Sequence, residues 1–188
     1  MDLEEYNDNK TYKDIILNGY YDYMEFNNCI FEKCNLSNAI FQGIDITITK
    51  IKNSNLANLE LTDHSIQSTD FIDCNLTGIN FTNTYFENVV FRNCNLSYAN
   101  FSGCNLKKVI FDNCNLQETS LNEIKWKGLE LNNCLLKETE FYKTKLKDLD
   151  ITNCQIENLK VEIKELPGLI VNVEQALTLS TLLGIKIK

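Results

Sequence analysis

Eight cysteines and one histidine, His64, are the side chains of this 188-residue sequence that are best suited to chemistry. Thiols can form disulfides, ligate zinc or act as nucleophiles, and an imidazole can ligate a metal or act as a general base. Five of the cysteines recur at intervals of twenty residues. The full set is Cys29, Cys34, Cys74, Cys94, Cys104, Cys114, Cys134 and Cys154. Their chemistry therefore depends on the element that generates this spacing.

A large apolar residue returns at every fifth position from Phe26 to Val161, with no inserted or deleted residue. A helix repeats its buried face about every 3.6 residues and a strand about every second one, so a period of five predicts a repeat architecture. Leucine also recurs every twenty residues, so four pentapeptides complete one turn, and turns stack at the roughly 4.8 Å spacing of β-strands. The predicted core repeat includes Phe71, Leu76, Phe81, Phe86, Phe91, Leu96, Phe101, Leu106, Phe111 and Leu116.

All eight cysteines fall on the small inward position, two residues before the large apolar one. Stacked Cβ atoms about 4.8 Å apart lie just outside the disulfide range of about 3.5 to 4.5 Å. A zinc site is the more specific alternative. Zinc needs four ligands that converge on one point at about 2.3 Å, whereas cysteines stacked in a straight column do not converge. We therefore expect packed, free thiols, with no metal and no cofactor.

His64 occupies the same small position, in the stretch between residues 26 and 91 where the repeat is looser. It could be a ligand or a general base, but either role needs a positioned partner and the sequence has no second histidine. We interpret it as a core or surface-shifted residue and expect no catalytic site.

The organisation predicted from this register has three parts. Residues 1–25 form an N-terminal cap and first partial coil, with Ile16 and Tyr21 already at inward positions. Residues 26–166 form the repeat of about seven coils. Residues 167–188 begin at the turn signal Pro167-Gly168 and are expected to cap the open end and to dimerise.

A helix is predicted within residues 173–183. Asn172 with Gln175 three residues later reads as an N-cap with its capping-box partner, and Gly184 fits the left-handed position after the last turn. Apolar residues span more than one face, so one side can cover the solenoid end while the rest remains for a partner. The last four residues, 185–188, alternate as a short strand would.

The five-residue pattern resembles that of the pentapeptide-repeat family, whose fold is all-β, a right-handed quadrilateral β-helix. Residues 95–102 (Asn-Leu-Ser-Tyr-Ala-Asn-Phe-Ser) and 121–128 (Leu-Asn-Glu-Ile-Lys-Trp-Lys-Gly) resemble the corresponding stretches of the Qnr quinolone-resistance proteins. Trp126, in the second stretch, stands at an inward position and must either swell its turn or rotate outward. Residues 175–185 resemble the C-terminus of Qnr, a segment that forms a two-fold dimer in Qnr and in the mycobacterial MfpA proteins.

The resemblance implies a DNA mimic that binds DNA gyrase or topoisomerase IV and protects it from quinolones, without enzymatic activity. It also implies a homodimer through the C-terminus, for which the expected interface is Val173, Ala176, Leu177, Leu179, Leu182, Leu183, Ile185 and Ile187. The unbroken register departs from Gram-negative Qnr proteins, whose loops interrupt the repeats. The alternative interpretation is a non-catalytic interaction scaffold with another partner.

The net charge of −8 is unevenly distributed. Residues 1–25 carry 7 acids and 2 bases, whereas residues 101–166 carry 11 acids and 10 bases. This balance does not favour direct nucleic-acid binding. The N-terminus is acidic and no stretch is apolar enough for a membrane span, so the sequence predicts a cytoplasmic protein without membrane contact.

Overall fold

Short parallel strands, stacked coil upon coil, make up most of the molecule. The computed structural model describes residues 3–37 and 39–186. Successive strands on one face are neighbours in the sheet, as in the pairing of β3 with β5 and of β9 with β10. The strands are β1 (Tyr6–Asp8), β2 (Thr11–Lys13), β3 (Tyr20–Asn27), β4 (Ile30–Glu32), β5 (Ile40–Thr47), β6 (Lys50–Lys52), β7 (Ser65–Gln67), β8 (Asp70–Ile72), β9 (Tyr85–Arg92), β10 (Asn105–Asp112) and β11 (Lys125–Asn132).

Pairing follows the twenty-residue interval seen in the sequence. Tyr20 pairs with Ile40, and Asp150 pairs with Ile170 at the far end. The predicted all-β fold is thereby confirmed as a parallel β-solenoid with a short C-terminal helix. A solenoid of this kind is stabilised by contacts between neighbouring coils, because no single coil can bury its own apolar corner.

The first coil is one residue shorter than the others. Tyr6 pairs with Glu25 and Ile16 with Asn35, both at an interval of nineteen residues. The inward position is therefore shifted by one, so that Leu17 is 3% exposed whereas Ile16 is 67% exposed. The prediction that Ile16 points inward is wrong, because the five-residue period was extended across this missing residue. Strand pairing already begins at β1.

Aromatic rings fill the middle of the solenoid. The rings of Phe71, Phe91 and Phe111 lie one above the other, with centroids 4.8 Å apart at both steps and interplanar angles of 11° and 6°. Phe81 and Phe101 pack beside them. All ten residues of the predicted core repeat are 0% exposed. Full burial of each such side chain is worth about 1.5 to 3 kcal/mol.

The C-terminal end carries the helix α1 (Val173–Ser180), which continues as a 3-10 turn over Thr181–Leu183. The capping box is confirmed: the Asn172 side chain accepts from the Gln175 N–H, and the Gln175 side chain accepts from the Asn172 N–H, both at 2.9 Å. Gly184 is left-handed as predicted, with φ 72°. Ile185 and Lys186 are not in a strand, and residues 187–188 of the expected strand lie outside the described residues.

No helix in the described ranges combines the length and the apolar character needed to cross a membrane.

Candidate functional site

The cysteines are packed into the stacked wall of the solenoid. All eight are free and buried, as predicted. Each thiol lies against backbone carbonyls: the Sγ of Cys104 donates to the Phe81 carbonyl at 3.0 Å, and that of Cys94 donates to Phe71 at 3.4 Å. Burial raises the pKa of the Cys104 thiol to about 12, so it stays protonated and is a poor nucleophile at neutral pH. Among the residues that the structure describes, no group of three His, Cys, Asp or Glu side chains converges as metal ligands.

The small inward position proves to be a hydrogen-bonding position. Thr119 donates from Oγ1 to the Leu96 carbonyl at 2.7 Å, and Thr139 makes the same bond to Leu116. These bonds pair a buried carbonyl one coil away, which would otherwise cost free energy. The sequence pattern predicted the small size of this position but not its hydrogen bonding. The signal was present, because Cys, Thr and Ser recur there and each carries a donor.

His64 also makes a structural hydrogen bond from this position, but as an acceptor. Its Nδ1 accepts a hydrogen bond from the Ile44 N–H at 3.3 Å, in the place where Ser54 Oγ accepts from the Cys34 N–H at 3.0 Å. Burial lowers the pKa of His64, which keeps Nδ1 free to accept. The imidazole therefore belongs to the wall of the solenoid.

Trp126 changes the wall at one coil. It lies in the same column as Phe86 and Leu106, which are fully buried, but its indole is partly exposed and packs against the core from the wall. The indole N–H donates to the Lys145 carbonyl at 2.7 Å. Of the two alternatives left open by the sequence, the structure shows outward rotation. Residues 145–147 in the next coil form no strand against β11.

A cleft of about 760 Å³ lies where this pairing is interrupted. Its walls are residues 123–128 on one coil and Lys143, Lys145, Lys147 and Asp148 on the next. Five lysines and two carboxylates thus line it, in a chain whose net charge is −8. The ammonium group of Lys143 contacts Glu123 at 2.8 Å. Their hydrogen bond raises the pKa of Lys143, which remains fully charged.

The C-terminal end presents a partly apolar face. Gln175 is buried and its Nε2 donates to the carbonyls of Ile151 and Cys154 at 2.7 and 2.8 Å, which fixes the helix to the last coil. Of the residues expected at a dimer interface, Leu179 is 9% exposed and belongs to the core of its own chain. Ile187 lies outside the described residues. The others are exposed: Val173, Ala176, Leu177, Leu182, Leu183 and Ile185.

The N-terminal half differs in its charges. Glu25 and Asp45 are partners in adjacent strands, β3 and β5, and neither has a Lys or Arg nitrogen within 4.0 Å in the described part of the chain. Other carboxylates have a basic partner in both halves, as Glu32 with Lys52 at 2.9 Å and Glu87 with Lys107 at 2.6 Å. The net negative charge is nevertheless strongest towards the N-terminus, because residues 1–25 carry 7 acids and 2 bases whereas residues 101–166 carry 11 acids and 10 bases.

Comparison with known proteins addresses the fold. Residues 65–141 match the family model described as a pentapeptide repeat region. No curated protein sequence matches the chain. Among solved structures, trypsin-treated QnrB1, a plasmid-mediated fluoroquinolone resistance protein, is 17% identical with a TM-score of 0.50, over 97% of this chain and 99% of that one.

HetL of the cyanobacterium Nostoc sp., a pentapeptide-repeat protein involved in heterocyst differentiation regulation, is 15% identical with a TM-score of 0.48, over 87% of this chain and 91% of that one. At these identities the likeness concerns the fold alone. The five-residue register continues on both sides of residues 65–141, so the segment that matches the pentapeptide repeat region lies within a longer run of the same period.

Proposed function

We propose that this protein binds a type II topoisomerase, DNA gyrase or topoisomerase IV, in place of DNA and protects it from quinolone-type inhibitors. The observation that carries the proposal is the unpaired negative charge on successive coils of the N-terminal half. The Qnr-like stretches at residues 95–102 and 121–128 support it, as does the fold shared with QnrB1.

The interior of the repeat is filled by side chains, so the protein acts through its exterior. Phe81, Leu96 and Phe101 are each 0% exposed. On the exterior, the paired positions Glu25 and Asp45 place carboxylates one coil apart, at the roughly 4.8 Å spacing of neighbouring strands. A surface that binds DNA phosphates can accept such a row of negative charges.

The electrostatic likeness to DNA is partial. Duplex DNA carries one charge per roughly 1.7 Å of its axis, whereas the carboxylates here are wider apart and confined to part of the rod. Shape must therefore contribute to the contact. We expect binding to weaken less steeply with salt than the binding of DNA itself.

The test is a gyrase supercoiling and DNA-cleavage assay with and without a fluoroquinolone. The wild-type protein should restore supercoiling in the presence of the drug. The double variant Glu25→Gln/Asp45→Asn should lose several-fold in potency, because two unpaired charges are removed without a change in the core.

The matched control is Glu118→Gln/Glu138→Gln, which removes two carboxylates one coil apart from the region where charges nearly balance. It should retain its potency. Equal losses in the two variants would contradict the role given to the N-terminal charges. Inhibition without rescue would indicate binding alone, and the absence of any effect would favour the interaction scaffold.

The proposal includes a homodimer in which the C-terminal faces of two chains meet. Leu177 and Leu183 are 48% and 58% exposed although they lie beside a buried end. A second copy would cover them and would place the acidic halves at the two distal ends. Sedimentation should show a dimer for the wild type and for the mid-rod control Tyr98→Glu, whose side chain is 56% exposed, and a monomer for Leu177→Glu/Leu183→Glu. A dimer in the last variant would exclude this interface.

A further inference from the structure

We propose that the cleft beside Trp126 is a binding site for a nucleoside phosphate, that is, a planar aromatic ring joined to a phosphate group. This inference concerns a small ligand and does not depend on the topoisomerase proposal being correct, although residues 123–128 of the cleft overlap the Qnr-like stretch 121–128. It rests on the position of the indole, on the lysines around it and on the size of the cleft.

The cleft has the dimensions and charge of such a site. Its volume of about 760 Å³ lies within the roughly 300 to 1,000 Å³ of typical small-molecule pockets. Lys143 is held by Glu123, but Lys125, Lys145 and Lys147 have no carboxylate oxygen within 4.0 Å among residues 3–37 and 39–186. Ammonium groups without partners are suited to bind phosphate oxygens.

The indole supplies the second half of the site. Its N–H is bonded to the Lys145 carbonyl, which fixes the ring in the wall of the cleft instead of leaving it free in solvent. A fixed and partly exposed aromatic ring binds the flat face of a nucleobase by stacking, which is worth about 1 to 3 kcal/mol per base in single-strand binding proteins. Because the ring is already held in place, little entropy is lost on binding.

The opening exists because strand pairing is interrupted beside Trp126, and this interruption costs stability. Leu106 in the preceding coil fits the interior and its strand is paired on both sides, whereas β11 is paired with β10 but not with residues 145–147. A leucine at position 126 would continue the column. Departures from an otherwise consistent pattern are expected at functional sites, where the lost stability is offset by binding.

The experiment uses the fluorescence of Trp126, which is the only tryptophan in the chain. The full-length protein is titrated with ATP, with adenosine and with tripolyphosphate. We expect a saturable change in fluorescence with ATP. Adenosine and tripolyphosphate should bind at least tenfold more weakly, because adenosine lacks the phosphate groups and tripolyphosphate lacks the aromatic base. No saturable change with ATP, or equal binding of tripolyphosphate, would overturn the proposal.

Two variants separate the site from general electrostatics. Lys145→Gln/Lys147→Gln should weaken ATP binding at least tenfold. Lys33→Gln/Lys137→Gln removes the same charge from outside the cleft and should leave the affinity within about twofold. Calorimetry on Trp126→Leu should show no ATP binding while circular dichroism shows an intact solenoid. ATP binding that survives in that variant would exclude the indole as part of the site.

Discussion

The coils from Phe71 to Leu116 and the coil that contains Trp126 share the same five-residue register. Only in the coils from Phe71 to Leu116 does strand pairing continue to the neighbouring coil on both sides. In the regular region β9 and β10 are paired from Tyr85 with Asn105 through to Arg92 with Asp112. At Trp126 the pairing continues towards β10 and stops towards residues 145–147. The comparison indicates that strand pairing in the wall of the solenoid depends on the volume of the side chain that the interior must accommodate.

Volume explains the difference. The column that runs through Phe86 and Leu106 has space for one ring or one branched chain per coil, and packed interiors do not expand without strain. An indole is larger than either of these side chains, so it turns outward, and its N–H donates a hydrogen bond to the Lys145 carbonyl. The substitutions below separate the two regions, in order of expected effect.

The largest effect is expected in the regular region, for Phe91→Ala. Its ring is stacked between those of Phe71 and Phe111 and is 0% exposed, so truncation leaves a cavity that neighbouring rings cannot fill. The free energy of unfolding should fall by about 3 to 5 kcal/mol, measured by urea denaturation. The half-exposed Tyr142→Ala is the control and should change it by about 0.5 kcal/mol. A loss below about 1 kcal/mol for Phe91→Ala would show that the stack is not the main source of stability.

The second effect concerns the irregular coil. In Trp126→Leu the side chain should turn inward below Leu106 and residues 145–147 should pair with β11. The free energy of unfolding should rise by about 1 kcal/mol, and amide hydrogen exchange in these residues should slow. Trp126→Tyr is the matched control, because a phenol without a buried partner stays outward and leaves the pairing open. If both variants exchange at the wild-type rate, volume is not the cause of the interruption.

The smallest effect is expected at the corners. The Oδ1 of Asn95 accepts from the Asn115 side chain at 3.2 Å and from the Ser97 N–H at 3.2 Å. Because the bond from Asn115 is exposed and the bond from Ser97 is only partly buried, Asn95→Ala should cost about 0.5 to 1 kcal/mol. Leu135 follows Asn115 in this column, in the next coil, so Leu135→Asn should extend the row and gain a few tenths of a kcal/mol. Destabilisation by Leu135→Asn would mean that the amide row contributes nothing there.

Prediction from the sequence succeeded where a residue's surroundings repeat. The stacking of Leu96 below Leu76 and the burial of Cys94 follow from position in the period alone. It failed at Ile16, because a single missing residue changes the inward position without altering the residue types around it. It left Trp126 undecided, since the space available to a side chain depends on the coils above and below it.

The sequence by itself determined the solenoid, its interval of twenty residues, its phenylalanine and thiol columns and its capped C-terminal helix, because each is set by a local period or a local capping pattern. Only the tertiary structure decided that the small inward position donates hydrogen bonds, that Leu179 packs into the core of its own chain, and that lysines of two coils lie around Trp126. These features join residues about twenty positions apart, and their geometry follows from how well one coil packs on the next.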